Sequence, residues 1–316
     1  FGHLAMANSF ACAAETEGTG IYCWGRDHLS PQSGFSWAQP INNDWADESY
    51  EKIRDLDGGH EVMCALVDDK VFCMKNTIWW PSGALGDGDD EAEFYWNYAI
   101  MAPVVDEAGQ PLNNVAAINI GTTSGCAIKN NRSIWCWGTA PYLDLRSWYA
   151  IPMEFPPAKL PVEGGIRTMS IESPLFGSVC RVEAVGGEIG DKLLCQGENR
   201  AGELGLGFGP SPTSTLTPTQ IADHWDAPKI TMGADFMGAV DASGNASAWG
   251  VDKVEPGSIY NLGLLSNGDL KGSSDLPEPI LTDSDEQLTR VQQMDFYNHQ
   301  AVAVAGTNNN VVTWGQ

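Results

Sequence analysis

Eight cysteines are the residues of this chain best suited to chemistry, and they fall in couples: Cys12 with Cys23, Cys64 with Cys73, Cys126 with Cys136, and Cys180 with Cys195. Thiols so arranged can close disulfides or hold a metal. Structural zinc sites want cysteines about two to four residues apart and four converging ligands, and these couples are wider, so zinc is the rival reading and disulfides the expected one. A second candidate is the acidic run Asp87, Asp89, Asp90, Glu91 and Glu93. Hard oxygens at close spacing suit calcium, but EF-hand spacing is missing and the run reads first as a solvated loop. Whether the acidic loop around Asp87 binds calcium is left open by the residues themselves.

Catalytic machinery is not legible. Zinc-protease, nucleophile-elbow, phosphate-loop and dinucleotide signatures are all missing. The five histidines, His3, His28, His60, His224 and His299, are scattered. Carboxylates are so numerous that no acid and base pair for glycoside cleavage stands out. No catalytic residue, cofactor or resident metal is expected, and the chain does not read as an enzyme. The formal net charge of −24, with 17 Lys and Arg against 41 Asp and Glu, speaks against nucleic acid, because phosphate binding depends on basic side chains releasing counterions.

The aromatic residues point to binding. Trp37, Trp45, Trp79 and Trp80, with Tyr95, Trp96 and Tyr98, fall between the repeated units set out below. Large aromatics in connections either pack beneath the loop or meet a partner, where Trp and Tyr are enriched. The expected binding surface is centred on residues 79 to 98, supported by Trp37 and Trp45. A protein partner or surface assembly is the first expectation, and a carbohydrate stacked on the aromatics the second.

What must position these residues is a repeat. Six segments end alike: Tyr22-Cys23-Trp24-Gly25, Phe72-Cys73-Met74, Trp135-Cys136-Trp137-Gly138, Leu194-Cys195-Gln196-Gly197, Ala248-Trp249-Gly250 and Thr313-Trp314-Gly315. The residues at the Trp position stand 50 to 65 apart. Before each runs an apolar stretch such as Val115, Ile118 and Ile120, then a short strand such as Cys126-Ala127-Ile128, then a polar turn such as Asn130-Asn131-Arg132. Alternating apolar residues bounded by Asn, Asp and Gly are a hairpin signature. After the Trp position several copies enter a Leu-Gly loop, as in Ala84-Leu85-Gly86-Asp87-Gly88 and Gly202-Glu203-Leu204-Gly205. Pro40, Pro103, Pro161, Pro218 and Pro279 each lead an outer stretch, where a proline fits an edge that needs no ladder N–H.

About four short strands per unit, repeated, make the blades of an all-β fold, a β-propeller. The pattern resembles the regulator of chromosome condensation repeat family over essentially the whole chain. That resemblance implies a single propeller domain over residues 1–316. Six four-stranded blades are expected, or seven if a blade is completed outside this stretch, since family propellers usually have seven. Only five Pro-led strands serve six Trp-Gly strands. The resemblance also implies nucleotide exchange on a chromatin-bound GTPase, which the charge and cysteines contradict. Secreted propellers of this class look like adhesion, inhibitor or assembly modules.

The repeat selects one cysteine pairing, because each couple occupies the two arms of one hairpin, within disulfide reach. In the last two copies the equivalent positions carry Gly238 with Ala248, and Ala301 with Thr313, so both members are lost together. Four disulfides imply an oxidising compartment: extracellular, periplasmic or cell surface. No apolar run is long enough for a transmembrane segment. The chain begins at Phe1, so a missing signal peptide does not count against secretion. Asn131-Arg132-Ser133 and Asn245-Ala246-Ser247 are glycosylation sequons in turns. The expected function is a non-catalytic interaction, adhesion or assembly scaffold, with a lectin-like propeller as the alternative.

Overall fold

The computed structural model describes residues 2–7, 10–15, 18, 20–25, 36–40, 50–59, 62–75, 85–88, 101–140, 145–153, 166–172, 178–183, 192–197, 199, 202–205, 215–222, 229–233, 236–241, 243–251, 273–282, 286–297, 300–308 and 310–315. Their regular structure is β throughout, in 23 strands. No helix among the described residues is long and apolar enough to cross a membrane.

The strands form consecutive antiparallel meanders. The first sheet holds β1 (His3–Met6), β2 (Phe10–Ala14), β3 (Ile21–Gly25) and β4 (Ser36–Pro40). The second holds β5 (Ile53–Gly58), β6 (Val62–Val67), β7 (Lys70–Lys75) and the two-residue β8 (Ala102–Pro103). The third holds β9 (Val115–Ile120), β10 (Ser124–Lys129), β11 (Ile134–Ala140) and β12 (Leu145–Met153). The fourth is β13 (Ile166–Glu172), β14 (Ser178–Glu183), β15 (Lys192–Gly197) and β16 (Thr215–Ala222). The fifth is β17 (Lys229–Met232), β18 (Phe236–Val240), β19 (Ala246–Val251) and β20 (Ser273–Pro279), and the sixth is β21 (Gln293–Tyr297), β22 (Gln300–Ala305) and β23 (Asn310–Gly315).

The residues group into two compact units. One comprises Phe1–Glu154 with Ser173–Leu175, the other Phe155–Glu172 with Phe176–Gln316. The first unit contains sheets one to three and the second sheets four to six.

Within each unit, neighbouring sheets pack face to face, and the strand sequences show why. Every residue of β6 is buried. Met63, Ala65 and Val67 join a cluster with Ala5, Ile21 and Ile53, whereas Val62, Cys64 and Leu66 join one with Val115, Ile118 and Trp137. Successive side chains leave opposite faces of a strand. A strand covered on both sides therefore reads as an unbroken apolar run. Strand β18 does the same in the second unit: Met237 and Ala239 face Cys180, Val182 and Leu193, while Phe236 and Val240 face Met294 and Phe296. Between β6 and β7 the turn is Asp68-Asp69, with Asp68 at φ 53° and its carboxylate accepting the N–H of Lys52 at 3.0 Å. Asp tolerates that backbone because its side chain bonds locally.

Two expectations need correction. Five sheets have four strands, not six or seven; the sixth has three among the described residues, β21-β22-β23. The last repeat is also in a different register. Thr313 faces Val302, and Ala301 faces Trp314, so the position equivalent to the first cysteine is Val302 and not Ala301. The loop joining β22 to β23 sets that register, and no cysteine couple was present to mark it in the sequence.

Candidate binding surface

All four expected disulfides form: Cys12–Cys23, Cys64–Cys73, Cys126–Cys136 and Cys180–Cys195, each with Cα atoms 4.1 Å apart. Each joins directly opposed residues of one hairpin. With every sulfur bonded to another, no thiolate is left to hold zinc, and that rival reading falls.

The expected aromatic surface lies in the connection from Lys75 to Ala102. Strand β8 returns to pair with β7, Phe72 opposite Pro103 and Cys73 opposite Ala102. Midway, the Leu85–Gly88 turn is fastened to the sheets. The Val105 N–H donates to the Gly86 carbonyl at 2.8 Å. Gly86 has φ +66°, and a Cβ there would press on the Trp137 indole and Val104. The Leu-Gly turn of one repeat therefore lies over the Trp of the next. The fourth repeat does likewise: the Trp249 indole N–H donates to the Glu203 carbonyl at 2.9 Å, and the Leu204 N–H to Asn199 Oδ1 at 2.9 Å. Trp137 and Trp249 are accordingly fully buried.

Trp45, Trp79, Trp80, Tyr95, Trp96 and Tyr98 lie outside the described residues, as do Asp89, Asp90, Glu91 and Glu93. Asp87 and Gly88 belong to the fastened turn, and no group of three or more metal-binding side chains occurs among the described residues. Trp37 is not in a connection: it stands in β4, in the irregular stretch where Gly25 faces Ser36. Trp148 holds the corresponding place in β12, after Ser147 opposite Gly138. The first and third sheets thus share a Trp at this place, whereas Leu216 and Asp275 follow the equivalent Thr215 and Ser274. Of the histidines, His3 lies half-buried in β1, and the other four fall outside the described residues.

Lys129 Nζ lies 4.3 Å above the Trp135 ring centroid. Lys70 Nζ lies 5.2 Å from that of Tyr50. The Tyr22 hydroxyl donates to Glu15 at 3.2 Å, and that hydrogen bond, then the carboxylate's charge, holds the phenol above its ordinary pKa. Of the sequons, Asn131 is exposed and its Oδ1 accepts from Ser133, whereas Asn245 Nδ2 donates to Asp241 at 2.8 Å.

One feature escaped the sequence reading. Arg181 is wholly buried in β14, and its guanidinium donates to the Gln196 side-chain oxygen at 3.3 Å. The signal was available: Arg181 replaces the Ala of the Cys-Ala pair, and Gln196 replaces the Trp of the same repeat.

No protein-family model matches this chain. No curated protein matches it either. Solved structures do. Human WBSCR16 aligns at 13% identity with a TM-score of 0.64, covering 99% of this chain and 75% of that one. Prp20p of Saccharomyces cerevisiae, the yeast RCC1, aligns at 16% identity and a TM-score of 0.65, covering 95% of this chain and 67% of that one. The ectodomain of the Physcomitrella patens receptor kinase CR4 aligns at 15% identity and 0.50, covering 99% of this chain and 63% of that one. Identities this low speak to fold alone, and they agree with the Cys-Ala, Trp-Gly and Leu-Gly register laid out on the sheets. The chain therefore carries a β-propeller fold of the regulator of chromosome condensation repeat type.

Proposed function

We propose that this chain is a non-catalytic protein-binding scaffold that works in an oxidising compartment, at or beyond a cell surface. The observation that carries the reading is the fastening of Leu85–Gly88 over Trp137. It divides the aromatic connection into two segments, one with Trp79 and Trp80 and one with Tyr95, Trp96 and Tyr98, tethered to a common buried anchor. Trp and Tyr are enriched among the anchors of protein interfaces. Disulfides in four hairpins support the compartment, since reducing cytosol does not maintain them. Yeast Prp20p, a structural neighbour, binds Gsp1p and histones, and another neighbour is a receptor ectodomain; both are in keeping with a propeller that meets proteins.

The test is the triple substitution Trp79→Ala, Trp80→Ala and Trp96→Ala in the disulfide-bonded chain. Capture of the native surface partner should fall by about a hundredfold or more, as for the loss of interface hot spots, while circular dichroism and the disulfide map stay unchanged. Wild-type capture by the triple variant would remove this surface from the function. A glycan array run alongside separates the protein reading from the carbohydrate one.

A further inference from the structure

Both Asn-x-Ser sequons fall in the turn between the second and third strands of a sheet, and folding treats them differently. In sheet three Asn131 is exposed, and its carboxamide is held through one atom. Asn131 Oδ1 accepts the Ser133 N–H at 3.0 Å and the Ser133 hydroxyl at 2.7 Å. A main-chain N–H can only donate, so the carboxamide atom facing it is the oxygen and the nitrogen is the outward one. Ser133 Oγ in turn accepts the Trp135 indole N–H at 3.3 Å, which leaves the Ser133 proton for Asn131. Among the described residues Asn131 Nδ2 has no partner. The turn closes around Asn131 and not through it: the Arg132 N–H donates to the Lys129 carbonyl at 2.8 Å and the Lys129 N–H to the Ser133 carbonyl at 2.9 Å.

In sheet five Asn245 is half-buried and tied by both its nitrogens. Nδ2 donates to Asp241 Oδ2 and the main-chain N–H to Asp241 Oδ1, both at 2.8 Å. The chain on either side is bonded as well. Gly244 accepts the Val291 N–H at 2.9 Å. Ala246, wholly buried, donates to the Leu288 carbonyl at 3.1 Å and accepts from Ile280 at 3.0 Å. Lifting Asn245 into an enzyme would break these bonds, whereas Asn131 is already presented.

We propose that Asn131 is an N-glycan acceptor in the folded chain and that folding closes Asn245. The co-reactant is a lipid-diphosphate-linked oligosaccharide. Transfer bonds Asn131 Nδ2 to the anomeric carbon and breaks that carbon's bond to the diphosphate oxygen. The diphosphate leaves with the bonding pair, and one Nδ2 proton passes to a base of the transferase. The proposal rests on the oxidising-compartment reading above, because such sequons are used in secreted chains. A glycan is bulky and solubilising, so the β10–β11 turn of sheet three faces water in the modified protein.

The test incubates the full chain, folded and oxidised, with purified oligosaccharyltransferase and the lipid-linked donor. Occupancy is read by peptide mass after enzymatic release of the glycan in heavy-oxygen water. Asn131 should exceed Asn245 by about tenfold or more, because Asn245 is reached only through local opening. The reduced, alkylated and unfolded chain should take sugar at both sites, and Ser133→Ala should abolish it at Asn131 alone. Asn131 left bare on the folded chain, or matched there by Asn245, overturns the proposal. An unfolded chain that still refuses sugar at Asn245 overturns closure by folding, since the local sequence then makes the difference. A chain secreted from eukaryotic cells should carry glycan at Asn131, and its disulfide map reports the compartment reading separately. Four disulfides with a bare Asn131 sink the glycan alone; free cysteines sink the compartment reading and the glycan with it.

Discussion

Arg181 and Gln196 are best understood together. A guanidinium taken out of water costs several kcal/mol unless it is bonded, so a buried arginine survives only where the residues around it have changed to suit it. In the third and fifth sheets, Ala127 packs in one cluster with Trp137, and Ala239 in one with Trp249. The fourth sheet replaces both members of that couple, the small residue by Arg181 and the indole by Gln196. Arg181→Ala alone should leave the amide without its donor and cost about 1–3 kcal/mol. Adding Gln196→Trp restores the couple found in the third and fifth sheets and should recover part of that loss. Urea midpoints of the two single variants and the double give the coupling; purely additive costs would mean the two residues are independent.

At the level of elements, the Trp-Gly strand and the Leu-Gly turn of the preceding repeat form one device. The turn must approach the indole so closely that Gly86 has neither room for a Cβ nor a backbone that L side chains favour. Gly86→Ala should therefore cost about 1–3 kcal/mol through overpacking, with a red shift in emission as Trp137 loosens. An unchanged spectrum and melting point would show that the turn does not hold the indole. This device also marks how far the sequence could be read. The hairpins were legible because each cysteine couple names two facing residues, which fixes both strands and their register. The last hairpin has no such couple, and pairing Thr313 with Ala301 misses its actual partner, Val302, by one residue. Strand β8 is legible only as Pro103, since two residues carry no periodicity. Trp37 looked like a loop residue because an irregularity in β4 hides the strand alternation. Most of the aromatic candidates lie outside the described residues, and their type and clustering remain their only argument.

Across the molecule the covalent support is uneven. Sheets one to three each contain a disulfide, sheet four contains one, and sheets five and six contain none. Closing loops with separations of 9 to 15 residues contributes about 2–3 kcal/mol each in the chain-entropy account. In sheet five the corresponding residues are Gly238 and Ala248. A Cβ at Gly238 would meet the Phe296 ring and the Met294 methyl, so the neighbouring sheet fills the space a disulfide would need. Phe296 packs on Phe236 with centroids 4.8 Å apart and edge-on to Trp314 at 6.0 Å. Aromatic pairs contribute about 0.5–1.5 kcal/mol each beyond their burial, less than the crosslink they replace. Hydrogen exchange should therefore show β18, β19 and β22 opening more readily than β6, β7, β10 and β11 in the oxidised protein. Reductant should accelerate the second group and leave the first nearly unchanged, because only the second loses a crosslink. Equal opening of all sheets before reduction would mean that aromatic packing matches the disulfides and that support is uniform.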